Sequence, residues 1–115
     1  MPISEATLDL LGKLPVALVL ISEPGVLLWA NPRAVAIMGQ PLEQLRDRLI
    51  SDIVHPDDKR QAAARVGGLV AGDDGPPIRY RILRPSGQIA EFSAESNTVE
   101  LDGERTIVTV LRELR

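Results

Sequence analysis

The sequence predicts an α+β domain, one antiparallel sheet of five strands with helices packed on one face and a further helix at the N-terminus. Three observations predict it. Five stretches have strand character and most are joined by hairpin turns, which makes the strands antiparallel. Helix starts and stops cluster between the second and third strands, centred on residues 29–58, so those helices must cover one face of the sheet. The length of 115 residues and the hydrophobic share of 44% suit a single domain with a single core.

Ser4 can cap a short helix that runs to about Gly12, with Leu8 and Leu11 on one face and Leu10 and Leu14 nearby. Leu14-Pro15 closes it. Residues 16–21 are apolar throughout, as in a strand covered on both sides. Glu23-Pro24-Gly25 is a turn, and 26–30 form the second strand. Asn31-Pro32 starts a helix, because asparagine accepts a free amide of the first turn and proline has none to lose. Ala34, Ile37 and Met38 share its apolar face, and Gly39 supplies the left-handed residue that ends it.

Leu45, Leu49 and Ile53 continue an apolar stripe at helical spacing, with Glu43, Arg46, Asp47 and Arg48 between them. His55-Pro56-Asp57-Asp58 opens a third helix that reaches about Val70. Pro56 suits its first turn, and Asp57 and Asp58 set negative charge at its positive dipole end. Ala62, Val66, Leu69 and Val70 mark its buried side.

Residues 72–77 are a loop by composition. From 78 to 84, Ile78, Tyr80 and Ile82 alternate with Arg79, Arg81 and Leu83. Pro85-Ser86-Gly87 turns the chain. From 88 to 98, Phe92, Ala94, Ser96 and Thr98 face away from Glu91, Ser93, Glu95 and Asn97. Asp102-Gly103 is a strong hairpin signal. The last strand, 105–112, sets Ile107, Thr109 and Leu111 on one face and Val108 and Val110 on the other. The first and last strands are therefore apolar on both faces. Their second face needs the N-terminal helix, a partner subunit, or both.

A net charge of −3 gives no electrostatic reason to expect nucleic acid or an anionic membrane as a partner. With no cysteine, disulfides, thiolate metal sites and cysteine nucleophiles are excluded, and the composition fits a cytoplasmic protein. The longest apolar run is too short to span a bilayer and no signal peptide is visible, so no direct membrane contact is expected.

His55 is the sole histidine, and its helix-start motif accounts for it better than a haem or metal ligand or a general base does. Dipole complementation likewise accounts for Asp57 and Asp58 better than a carboxylate pair, and Asn31 is a cap. Gly67-Gly68 lies in a helical stretch without phosphate-loop spacing. A candidate pocket is lined by Leu18, Ile37, Met38, Leu49, Ile53, Val66, Tyr80, Ile82, Phe92, Ala94 and Ser96. Most of these serve core packing first. Tyr80 and Ser96 are the polar groups best placed to orient a ligand, which would be small and mostly apolar.

From about Leu8 to Arg115 the chain resembles a PAS sensor domain. The resemblance is carried by Asn31-Pro32, Gly39, Leu45, residues 52–58 ending in His55-Pro56-Asp57-Asp58, Tyr80-Arg81, Ser86-Gly87 and Arg112-Glu113-Leu114. The chain departs from the family pattern at Ser86, at Glu113 and at Arg115. The resemblance implies the strand order 2-1-5-4-3, with strands one and five central, and a pocket between sheet and helices able to hold a small ligand or cofactor. It implies a homodimer through the N-terminal helix and the outer sheet face, assigned to Leu8, Leu11, Val19, Ile21, Ile107 and Leu111 or the alternate set.

It also implies one domain over 1–115, with 1–14 as the N-terminal helix. Residues 112–115 would open a linker to an output domain: a histidine kinase of a two-component system, a cyclase or a transcription module. The expected function is a sensory and dimerisation module in bacterial signalling. The alternative is a ligand-free protein–protein interaction module, and a small isomerase-type enzyme is the weakest reading, since Glu91 and Glu95 face away from Phe92. No enzyme activity and no cofactor are expected. Flavin is disfavoured because the light-sensing branch needs a cysteine and only Trp29, Tyr80 and Phe92 could stack on a ring; haem is disfavoured because His55 has no second ligand.

Overall fold

The computed structural model describes residues 3–73 and 75–114; the loop position Asp74 and the closing-motif position Arg115 lie outside the described residues, as do residues 1 and 2. Helix α1 (Glu5–Gly12) starts where the Ser4 hydroxyl accepts the Thr7 amide at 3.2 Å. Strands β1 (Ala17–Ser22) and β2 (Leu27–Ala30) form a hairpin whose turn uses Gly25 at φ 94°. Helix α2 (Pro32–Met38) begins at the Asn31 cap and ends at Gly39, whose φ of 72° is left-handed. Short helices α3 (Leu42–Leu45) and α4 (Ile50–Ile53) follow. A 3-10 turn over Pro56–Asp58 then leads into α5 (Lys59–Val70). Strands β3 (Ile78–Leu83), β4 (Ile89–Leu101) and β5 (Glu104–Glu113) complete the chain.

The five strands form one antiparallel sheet in the order β2-β1-β5-β4-β3. The first and last strands thus lie side by side in the middle, where two-sided apolar runs belong. Register decides which side chains face which way. Ala17 pairs with Leu111, Val19 with Thr109 and Ile21 with Ile107. These six face the helices and join a core with Met38, Leu45, Ala62, Leu69, Phe92 and others. Leu18 and Leu20 point the opposite way, against Ile3, Leu8, Leu11, Leu28, Trp29 and Val108. Helix α1 therefore lies on the outer face of the sheet. It is tied there by Asp102 in the β4–β5 turn, which accepts the Ser4 amide at 2.7 Å and the Thr7 hydroxyl at 3.0 Å.

One expectation about local structure is corrected. The stripe Leu45, Leu49, Ile53 is not one helical face. Asp47 takes a left-handed φ of 68°, and the chain runs extended at Arg46 and Leu49. The Asp47 amide donates to Leu27 and the Leu27 amide donates to Arg48, so this stretch pairs with β2 and turns Leu49 outward, 43% exposed. Residues 112 and 113, expected at the start of a linker, belong to the sheet. β5 continues through Glu113, and the Leu114 amide donates to the Glu91 carbonyl at 2.8 Å.

Candidate functional site

Between the inner sheet face and the helices lies a cavity of about 40 Å³. The central strands supply Val19, Ile21, Ile107, Thr109 and Leu111 to its floor, and β3 and β4 supply Tyr80, Phe92, Ala94 and Ser96. The helical side contributes Met38, Ile50, Val54 and, from α5, Ala62, Arg65, Val66 and Leu69. The space is large enough for about two or three waters, or for a small molecule that displaces them. Tyr80 and Phe92 form one wall, their ring centroids 5.9 Å apart at a 37° tilt.

Of the pocket residues expected from sequence, Met38, Val66, Tyr80, Phe92, Ala94 and Ser96 line this cavity. Ile37, Ile53 and Ile82 lie in the surrounding core without reaching it. Leu18 is on the other side of the sheet and Leu49 is at the surface. The expected dimer contacts Val19, Ile21, Ile107 and Leu111 face the cavity instead of the outer surface. An unbroken apolar run has no polar position to mark its outward side, so the parity of β1 was unreadable. In β5 a polar Thr109 faces in while Val108 faces out, the reverse of the usual pattern. Leu8 and Leu11 are half-buried between α1 and the outer sheet face.

Three hydroxyl groups belong to residues that line this apolar space. The hydroxyls of Ser96 and Thr109 are paired at 2.8 Å and buried. The Tyr80 hydroxyl is buried and has no hydrogen-bond partner among the described residues, while Tyr80 as a whole is 5% exposed. A buried hydroxyl without a partner is costly, so such an atom marks a place where a water or a ligand atom belongs. Burial raises the Tyr80 pKa; the nearby positive charge of Arg65 works against that rise and the Asp58 charge adds to it. Arg65 is half-buried, and its guanidinium donates to the Pro76 carbonyl. Among the described residues no carboxylate pairs with Arg65.

Arg65 and Thr109 escaped the reading of the sequence. The signal for Arg65 was present: it follows Ala62 by three positions and precedes Leu69 by four, on the face of α5 that packs inward.

The motif residues are structural. Asn31 accepts the amides of Leu18 and Ala34 at 3.0 and 3.1 Å and donates to the Val16 carbonyl at 2.7 Å. The His55 Nδ1 accepts the Asp57 amide at 3.1 Å. Asp58 is buried and bound to Arg81, so its charge is matched by a guanidinium, while its side chain makes no cap hydrogen bond to α5. Among the described residues no group of three or more histidine, aspartate or glutamate side chains is placed to hold a metal ion.

A family model described as the PAS fold matches residues 27–111. No curated protein matches the sequence. Among solved structures, a PAS domain from Desulfitobacterium hafniense is similar with a TM-score of 0.78 at 18% identity, over 92% of this chain and 99% of that one. The PAS domain of an HTR-like protein from Haloarcula marismortui gives 0.74 at 16% identity, over 96% and 93%. A PAS domain from a two-component sensor histidine kinase gives 0.66 at 18% identity, over 92% and 91%. At these identities the likeness is one of fold.

Proposed function

The chain belongs to the PAS fold family, and from that premise we propose that it is the sensory and dimerisation module of a bacterial signalling protein that takes a small, mostly apolar ligand between sheet and α5. The observation that carries this reading is the buried, unpartnered hydroxyl of Tyr80, a residue that lines an internal cavity. A domain that needed only a packed core would gain stability from phenylalanine there. Occupancy works by differential affinity. A ligand that favours one packing of α5 against the sheet shifts that equilibrium by the difference in its affinity for the two packings. The floor of the cavity includes Leu111, so such a shift reaches the end of β5 and, beyond it, an output domain such as a histidine kinase, a cyclase or a transcription module.

No cofactor is assigned. A space of about 40 Å³ is far below what a flavin or haem ring needs, and the single histidine engages a backbone amide with its Nδ1. Nor is catalysis assigned, since no carboxylate lines the cavity among the described residues. Self-association runs through α1 and the outer sheet face, with Leu10 on α1 63% exposed and Leu14 just beyond the helix 37% exposed. No described helix is long and apolar enough to cross a membrane. The absence of cysteine supports a cytoplasmic placement.

The small size of the cavity favours one alternative, a ligand-free module that acts only through protein–protein association. Native mass spectrometry of the purified protein, with amide NMR in the presence of xenon, separates the two. A bound small molecule, or saturable xenon shifts at Val66 and Phe92, supports the sensor. A bare mass together with a cavity closed to xenon supports the alternative.

A further inference from the structure

We infer that the ligand is a small organic anion, a monocarboxylate with a short apolar tail, whose carboxylate is read by Arg65 and the Tyr80 hydroxyl at the mouth of the cavity. This rests on the ligand-binding reading above and sharpens it.

Three features of the cavity carry the inference. Its only charged lining residue among those described is Arg65, and no described carboxylate neutralises it. Arg65 as a residue is half-buried, so its charge is screened by less water than at a fully exposed position. One of its terminal nitrogens donates to Pro76, which anchors the group beside the cavity and leaves other N–H donors uncommitted among the described residues.

The second feature is the Tyr80 hydroxyl, buried and partnerless. At neutral pH a phenol is protonated, and burial favours that form further, so it offers an O–H donor. A guanidinium and a phenol together match the acceptor-only character of a carboxylate. A neutral alcohol would satisfy the phenol but leave the charge without a counterpart. A cation would meet Arg65 as a like charge.

The third feature is the rest of the wall. Val66, Leu69, Phe92 and Ile107 present only carbon to the space, and the remaining hydroxyls, Ser96 and Thr109, are paired with each other. A second polar end on the ligand would therefore lose hydration without a dedicated partner. Because the space holds only about two or three waters as it stands, the tail is limited to a few carbons. That chemistry points to acids of acetate-to-butyrate size rather than to dicarboxylates or nucleotides.

The test uses the full chain at neutral pH, with amide NMR titrations of sodium propionate, 1-propanol as the neutral isostere, sodium sulfate as a generic anion, and xenon as an apolar probe. Saturable propionate shifts at Val66, Leu69, Phe92 and Ile107 are expected, with 1-propanol and sulfate weaker by at least about tenfold. Arg65→Gln should weaken propionate by about tenfold or more and Tyr80→Phe by about fivefold, as expected for lost charged and neutral donors. Both variants should still take up xenon, which shows that the cavity is intact.

If propanol binds as well as propionate, if Arg65→Gln leaves propionate affinity unchanged, or if xenon alone binds, the anion assignment is overturned while the ligand pocket stands. If sulfate binds as well as propionate, the site is an adventitious anion contact and the assignment again fails. If no probe shifts the lining amides, both readings fall.

Discussion

Asp58 and Arg81 are joined three times. The Asp58 carboxylate accepts the backbone amide of Arg81 at 2.7 Å and two guanidinium nitrogens at 2.8 and 3.2 Å. The adjacent backbone is tied as well, since the His55 amide donates to the Arg81 carbonyl at 2.8 Å. The turn that opens α5 is thereby fixed to β3, one strand that supplies the cavity wall. The Arg81 hydrogen bonds hold the Asp58 carboxyl below its ordinary pKa, against the opposing effect of burial.

Replacement of Asp58 by alanine should therefore cost about 2 kcal/mol, the range for hydrogen bonds to charged groups; the part-exposed Arg81 head keeps it from being larger. The pH dependence has a definite sign. A carboxyl whose folded pKa is depressed contributes its full share of stability above the ordinary carboxylate value of 3.8 and loses it as pH falls through the lower folded value. Urea denaturation of wild type and Asp58→Ala should give a constant gap from neutral pH down to about 5, narrowing in stronger acid. A gap independent of pH down to 2 would contradict the pairing.

Asn31 should be among the most sensitive polar positions. One side chain serves two amides and one carbonyl, joining the start of α2 to the segment leading into β1 and to β1 itself. Asn31→Ala leaves these buried groups unpaired and should cost about 3–4 kcal/mol. Asn31→Asp keeps the acceptor that both amides need but sets a carboxylate oxygen against the Val16 carbonyl. It should recover only part of the loss, as read from the midpoints of chemical denaturation.

Leu111 and Leu10 should respond in opposite ways to the same substitution. Leu111 is buried on the helical side of the sheet, so Leu111→Asp should unfold the domain. Leu10 is exposed on α1, so Leu10→Asp should leave the melting temperature within about 2 °C of wild type. Under the proposed self-association through α1, the same variant should sediment as a monomer at concentrations where the wild type self-associates.

These two leucines also mark the limit of what the sequence disclosed. The element order, the caps at Ser4 and Asn31, the stop at Gly39 and the Asp102-Gly103 turn were legible because each depends on residues a few positions apart. The alternation in β3 and β4 was legible because arginine and glutamate mark the outward side, and Tyr80, Phe92, Ala94 and Ser96, set on the opposite side, line the cavity. The parity of β1 and β5 was not legible, because both faces are apolar and what covers the outer one is α1, a distant segment. Leu49 misled for a related reason. Helical spacing persists in the letters from 45 to 53, but a left-handed Asp47 and pairing with β2 break the helix between them. The long-range matches Asp58–Arg81 and Ser96–Thr109 depend on strand register and helix placement, which local pattern does not contain.

Arg84 should couple the end of α2 to the end of β5. Its Nε and one terminal nitrogen donate to the Ile37 carbonyl at 3.1 and 2.7 Å, and that terminal nitrogen lies 3.5 Å from the Glu113 carboxylate. The stem packs so closely over Gly39 that a methyl group there would lie 2.8 Å from the Arg84 Cδ. Met38 and Leu111, near the two attachment points, both line the cavity. Arg84→Met keeps much of the stem and removes the donors and the charge, so it should free the last turn of α2 and the end of β5 together. Hydrogen exchange should then quicken by about tenfold at the Gly39 amide, which closes α2 on Val35, and at the Leu114 amide, which closes β5 on Glu91, with little change in the β1–β5 pairing. Faster exchange at Gly39 alone would show that the Glu113 contact transmits nothing, and that the two ends of the cavity wall move independently.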